Sequence, residues 1–153
     1  VSRSPRSGRP TRLGRVTVLL WVNLLALAEV ARVLRPGGMA YLAIHLFTSH
    51  SGNHDARSLT RDGMSPPYWP HLRPGLREAE RSACYVNEVR LEAWKQLFQA
   101  EMPGARFIHE RQEELRLPLR SLQSRGELEG YSEDELLTVS LVGVWRKPCR
   151  PAA

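Results

Sequence analysis

A chain of 153 residues with 42% apolar and 25% charged side chains can bury one real core, which excludes collagen-like, low-complexity and disulfide-built proteins. The net charge of +6 does not point to a nucleic-acid binder. Arg3, Arg6, Arg9, Arg12 and Arg15 hold five positive charges, and without them 17 basic side chains face 16 acidic ones.

Residues 1–15, VSRSPRSGRPTRLGR, have no hydrophobic periodicity and too little apolar surface to offset the entropy of ordering. They predict a disordered basic tail. A basic arm touching nucleic acid or acidic lipid is one alternative. A secreted protein with a signal peptide is another: a basic start, the apolar run Val16 to Ala28, and Ala26-Leu27-Ala28 as the cleavage site. That run continues without a break into a helix ending at Leu34, so cleavage would cut the helix. A misread or truncated gene start is the favoured reading of the tail. The apolar run is shorter than the about twenty residues needed to span a bilayer, so no membrane association is expected. Val16 to Val22 is β-branched and aromatic enough for a strand, and it also suits an N-terminal extension of the helix.

The stretch Leu24 to Phe47 organises the chain. Leu24, Leu27, Ala28, Ala31 and Leu34 recur at helical spacing, with Glu29, Arg32 and Arg35 on the other side. Pro36 stops that helix, and Gly37 supplies the positive φ of a type II turn. Met39 to Phe47 then runs apolar on both alternating faces except at His45. Such a strand predicts an inner position in a parallel α/β sheet, with His45 as a core histidine.

The segment E-V-A-R-V-L-R-P-G-G followed by an apolar strand resembles the class I S-adenosylmethionine-dependent methyltransferases. In that family it is the helix and turn leading into the fifth strand of a seven-stranded sheet. The resemblance implies an α/β fold, namely the later strands and helices of a Rossmann-like sheet with an antiparallel last strand. It also implies S-adenosyl-L-methionine as cofactor.

After the strand, Thr48 to Asp55 is polar and rich in turn formers. Ligands of parallel α/β sheets sit outside the carboxyl ends of the strands, which makes Ser49, His50, His54 and Asp55 candidate substrate contacts. The H-x₃-H-D spacing would suit a metal only on a helix, and Gly52-Asn53 argues for a turn, so no metal site is expected. Residues 56–82 form a long connection in which Pro66, Pro67, Pro70 and Pro74 exclude a regular helix. A loop of this length suggests a lid, with Trp69, His71 and Arg73 as contacts. Alternatively, Trp69 covers the edge of the core. The lid also resembles a substrate-side insertion of some family members, where P-P-W-x-H-L-R precedes Y-x-N. The second segment corresponds here to Tyr85-Val-Asn87, which adds Asn87 to the candidates.

Further on, Leu91, Trp94 and Phe98 predict a helix over 90–100 that stops at Pro103-Gly104. Ala105 to Arg111 reads as a strand, and 112–130 is polar and unassigned. Ser132-Glu-Asp-Glu135 is a capping box, and Thr138 to Arg146 is a terminal strand. This order matches the close of the methyltransferase fold: the resemblance covers residues 23–148 of a partial domain at 16–148, with 149–153 as a short tail.

No G-x-G-x-G occurs anywhere in the chain, and no acidic residue can be assigned to the ribose hydroxyls. The chain is therefore expected to be the C-terminal part of a methyltransferase that does not bind cofactor alone. A non-enzymatic remnant or binding module is the alternative. The catalytic residues and the methyl-acceptor substrate stay unassigned. Cys84 and Cys149 fit no metal or redox spacing and predict a reduced, cytoplasmic setting. A strand lacking an intended neighbour predicts self-association or a partner supplying the missing half.

Overall fold

The computed structural model describes residues 12–54 (backbone alone over 12–21), 67–76 and 87–149. The chain is a mixed α/β protein with a three-stranded sheet. Helix α1 spans Arg12–Val33 and strand β1 spans Met39–His45. Helix α2 (Leu91–Glu101) leads into β2 (Arg106–Arg111). Helices α3 (Arg116–Gln123) and α4 (Glu133–Leu137) then lead into β3 (Thr138–Arg146). The helix begins at Arg12, inside the stretch expected to be an unstructured tail, and residues 1–11 lie outside the described ones. Val16 to Val22 belongs to α1, so the strand alternative for it falls. Ala26-Leu27-Ala28 lies within the same helix, where Leu27 is part of the core. Among the described residues, no helix is long and apolar enough to cross a membrane.

The joint between α1 and β1 is built as its residues dictate. Gly38 N–H donates to Arg35 O at 2.9 Å across Pro36-Gly37, and Gly37 takes φ +75°. A type II turn needs that φ at its second central position, and only glycine adopts it without strain. The exposed carbonyls at the end of α1 find a partner far away in sequence. Lys147 Nζ donates to Ala31 O at 2.7 Å, Leu34 O at 2.8 Å and Arg32 O at 3.2 Å. An ammonium there satisfies orphan acceptors and the negative end of the helix dipole together, which ties α1 to the end of β3.

The sheet order is β1-β3-β2, and β3 is antiparallel to both neighbours. The terminal strand is thus antiparallel, as expected, while β1 and β2 run in the same direction. The expected inner, parallel position of β1 is corrected: it is an edge strand whose one neighbour among the described residues is antiparallel. Nor is it covered on both faces. Ala40, Leu42 and Ile44 point into the core, whereas Met39, Tyr41, Ala43 and His45 are exposed. Apolar composition on both faces measures what a strand can bury, and here one of those faces is open.

Helices α1 and α2 cover the other face. Leu27 and Val30 of α1, Leu34 just after it, and Leu91, Trp94 and Phe98 of α2 pack with Ala40, Leu141 and Trp145. Phe98 lies directly over Gly143 of the central strand, where a Cβ would come within 2.4 Å of its ring. A second apolar cluster joins Trp69 and Leu72 to Leu119, Leu122, Leu136 and Leu137, with Phe47 packed against it. Phe47 follows the end of β1, and Leu137 precedes the start of β3, which pairs with that end. The second cluster therefore supports the carboxyl end of β1, where the polar loop leaves the sheet.

Candidate functional site at the carboxyl end of β1

The loop after β1 is wound by successive short-range hydrogen bonds. Ser49 N–H donates to Leu46 O at 3.1 Å, Gly52 N–H to Ser49 O at 3.1 Å, and His54 N–H to Ser51 O at 3.0 Å. These turns fold the loop back toward the strand end. His45 Nε2 lies 3.0 Å from Ser51 Oγ and 3.2 Å from Ser49 Oγ. The His54 ring meets His45 edge-on at 4.7 Å between centroids, and His54 adopts φ +50°. His50 turns the other way and packs on Tyr68 at 5.4 Å and Trp69 at 5.6 Å. Three imidazoles and two serine hydroxyls thus gather at one end of the sheet.

The position of His45 corrects its reading as a core histidine. It sits at an odd-numbered, exposed position of β1, and the two serines of the loop hold its ring. The sequence signal for it was its place as the one polar residue of an apolar strand, close to where that strand enters a polar loop.

The candidates divide once their contacts are known. Ser49 is buried against His45, and His50 and His54 belong to the cluster. Asp55 lies outside the described residues. The three lid candidates are anchors. Trp69 is completely buried in the second core at φ +45°, so it covers the core edge as the alternative reading had it. His71 Nε2 is 2.8 Å from Phe47 O, with its ring against Phe47, which fastens the lid to the strand end. Arg73 forms an ion pair with Glu127 and donates to Tyr68 O at 3.3 Å. Asn87 Oδ1 accepts from Val89 N–H at 3.3 Å, a local turn just before α2. Tyr68, the neighbour of Trp69 in the chain, stands exposed beside His50.

Burial lowers the pKa of His45 below the ordinary 6.5, and the neighbouring His54 lowers it further. Burial also lowers that of His50. Both rings are therefore neutral near pH 7, and each keeps a nitrogen able to accept a proton or a hydrogen bond. Such an arrangement can hold or deprotonate a hydroxyl or amine. Among the described residues, no group of three or more His, Cys, Asp or Glu side chains could hold a metal ion.

These shifts have a testable sign. A histidine whose folded-state pKa is depressed binds its proton more readily when unfolded, so stability falls as pH drops below 6.5. Melts across this range should show the loss, and His45→Gln with His50→Gln should flatten it. Imidazole resonances of His45 and His50 that titrate at or above 6.5 would contradict the assignment.

No protein-family model, curated protein or solved structure matches this chain.

Proposed function

We propose that the chain is the carboxyl-terminal part of a class I S-adenosylmethionine-dependent methyltransferase, and that the loop after β1 forms the methyl-acceptor side of its site. The observation that carries this reading is the order and direction of its elements. Helix, Pro-Gly turn and strand are followed by a long lid, then helix, strand, short helices and a terminal strand antiparallel to both neighbours. That is the succession with which the resembled fold closes. The neutral His45 and the loop serines stand where an acceptor hydroxyl or amine would be oriented. Methyl transfer asks mainly for such in-line positioning.

The described residues do not fit the cofactor. Binding it needs close backbone approach at a Gly-rich turn between a strand and a helix. The positive-φ glycines Gly37, Gly104, Gly126 and Gly130 all lie after helices instead. Gly52, at the carboxyl end of β1, has its free side filled by the carbonyls of Leu46 and Phe47. The cofactor site is thus assigned to residues beyond those described, and no chemical step is derived through it.

Calorimetric titration of the chain alone with S-adenosylmethionine should give no measurable heat of binding. Coexpression with the upstream coding sequence, read in each frame, should yield a complex that binds it. Micromolar binding by the chain alone would overturn the division of the site. Failure of every upstream segment to restore binding would overturn the methyltransferase reading.

A further inference from the structure

Two hydroxyls approach His45 Nε2, and they are not equivalent. An imidazole nitrogen that carries no proton has one lone pair and accepts from one hydroxyl at a time. Ser49 Oγ, at 3.2 Å, belongs to a fully buried residue. Ser51 Oγ, at 3.0 Å, belongs to a half-buried residue on the exposed side of the ring. Ser51 is therefore the hydroxyl that a solute can reach while His45 holds its proton.

This pair is held more firmly than a surface hydrogen bond. His45 closes β1 opposite Ser140 of β3, and the His54 ring meets it edge-on at 4.7 Å. Two overlapping turns include Ser51: Gly52 N–H donates to Ser49 O at 3.1 Å, and His54 N–H donates to Ser51 O at 3.0 Å. His54 takes φ +50° to close the second, a backbone strain of the kind that gathers at functional sites. In the same loop, the buried atoms Thr48 Oγ1 and Asn53 Nδ2 have no hydrogen-bond partner among the described residues. Unpaired donors are what a carbonyl oxygen gaining negative charge requires.

We propose that Ser51 and His45 form a nucleophile–base pair that takes the acyl group of a carboxylic ester. Their separation of 3.0 Å is within the reach that such pairs need. Ser51 Oγ attacks the ester carbonyl carbon as its proton passes to His45 Nε2. The carbonyl–alkoxy bond then breaks and the leaving oxygen takes that proton, which gives an acyl-Ser51 ester and an alcohol. Water activated by the same nitrogen hydrolyses the acyl-serine, restoring Ser51 and releasing a carboxylic acid. Charge selects the class of ester. The loop Thr48 to His54, TSHSGNH, has no Lys or Arg, and a neutral carbonyl, unlike a phosphate ester, asks for none. This activity uses the described loop alone and does not depend on the methyltransferase reading.

Treating the whole chain with p-nitrophenyl acetate near neutral pH, and locating the acetyl group by fragmentation mass spectrometry, tests this. Acetyl should be found on Ser51, and Ser51→Ala should abolish that adduct. His45→Gln keeps a polar side chain but removes the base, and should slow acetylation of Ser51 about a hundredfold. His109→Gln, on β2 beside Asp134, should leave the rate unchanged. If circular dichroism shows His45→Gln unfolded, the pH dependence of the wild type takes its place. Acetylation of Ser51 should then fall as His45, followed by its imidazole resonance, gains its proton. Acetyl that is absent from Ser51, or carried only by Ser49, a lysine or a histidine, would overturn the proposal. So would a folded His45→Gln acetylated at the wild-type rate, or a wild-type rate that stays flat while His45 titrates.

Discussion

Replacing Arg90 with Met should lower stability by about 3 kcal/mol at neutral pH, the range for stranding a buried charge. The two partners of this ion pair are not equally placed. The Glu135 side chain is 7% exposed and that of Arg90 is 50% exposed. Glu135 accepts from Arg90 Nε at 2.9 Å, from its terminal nitrogen at 2.5 Å and from Leu91 N–H at 3.4 Å. Arg90 also donates to Gly130 O at 2.8 Å and lies 4.7 Å from the centre of the Tyr131 ring. Removing the arginine leaves the less exposed member of the pair without its charge partner. Removing the carboxylate leaves a guanidinium that water can still solvate. Glu135→Leu alone should therefore cost less, about 1 kcal/mol, and adding it to Arg90→Met should recover most of the loss. Chemical denaturation of the three variants gives the cycle, and an Arg90→Met midpoint within error of wild type would remove the basis of the argument. The consequence reaches the loop site, because this pair binds the start of α2 to α4 and so joins the two cores.

Those elements differ in how plainly the sequence announced them. Pro36-Gly37 marked the joint into β1, and Thr138 to Arg146 was an unambiguous terminal strand. Ser132 was read as a helix cap, and its Oγ does accept from Glu135 N–H at 3.1 Å. The glutamate of that capping box, however, turns to Arg90 instead of back to Ser132, a choice made by a residue 45 positions away. Helix α3 was missed because Arg116-Leu-Pro-Leu-Arg looks polar and contains Pro118. In the structure Pro118 is the third residue of the helix, where its missing N–H has no intrahelical acceptor to lose. Leu115, Leu119 and Leu122 carried the apolar spacing that would have found the helix. The site was legible as a location and less so as a set of side chains. A polar loop at a strand end pointed to His50 and His54, but the side to which Trp69, His71 and Arg73 turn depends on packing against α3 and α4. His45 was misread because an open sheet face leaves the same apolar pattern as a buried one.

Gly52→Ala should separate the loop site from the rest of the fold. A Cβ built on Gly52 would lie 2.1 Å from Phe47 O and 2.6 Å from Leu46 O. Both obstacles are backbone, so no rotamer change relieves them, and the loop must move away from the strand end. Overpacking against fixed atoms costs about 1–3 kcal/mol, and the displaced turn would also lose the Gly52 N–H to Ser49 O bond. A total near 3 kcal/mol is the expected deficit. The local effect should be larger than the global one. Ser51 reaches His45 Nε2 at 3.0 Å only because the chain turns sharply at Gly52, so the imidazole resonances of His45 and His54 should shift while those of His109 stay in place. Gly75 provides the control: it also lies in a loop, but a Cβ there meets nothing within 4 Å. Gly75→Ala should leave stability unchanged or slightly raised, because it restricts the unfolded chain alone. If Gly52→Ala melts with the wild type and leaves the His45 signals unmoved, the loop is not held against the strand end as described, and the acceptor site proposed there loses its geometry.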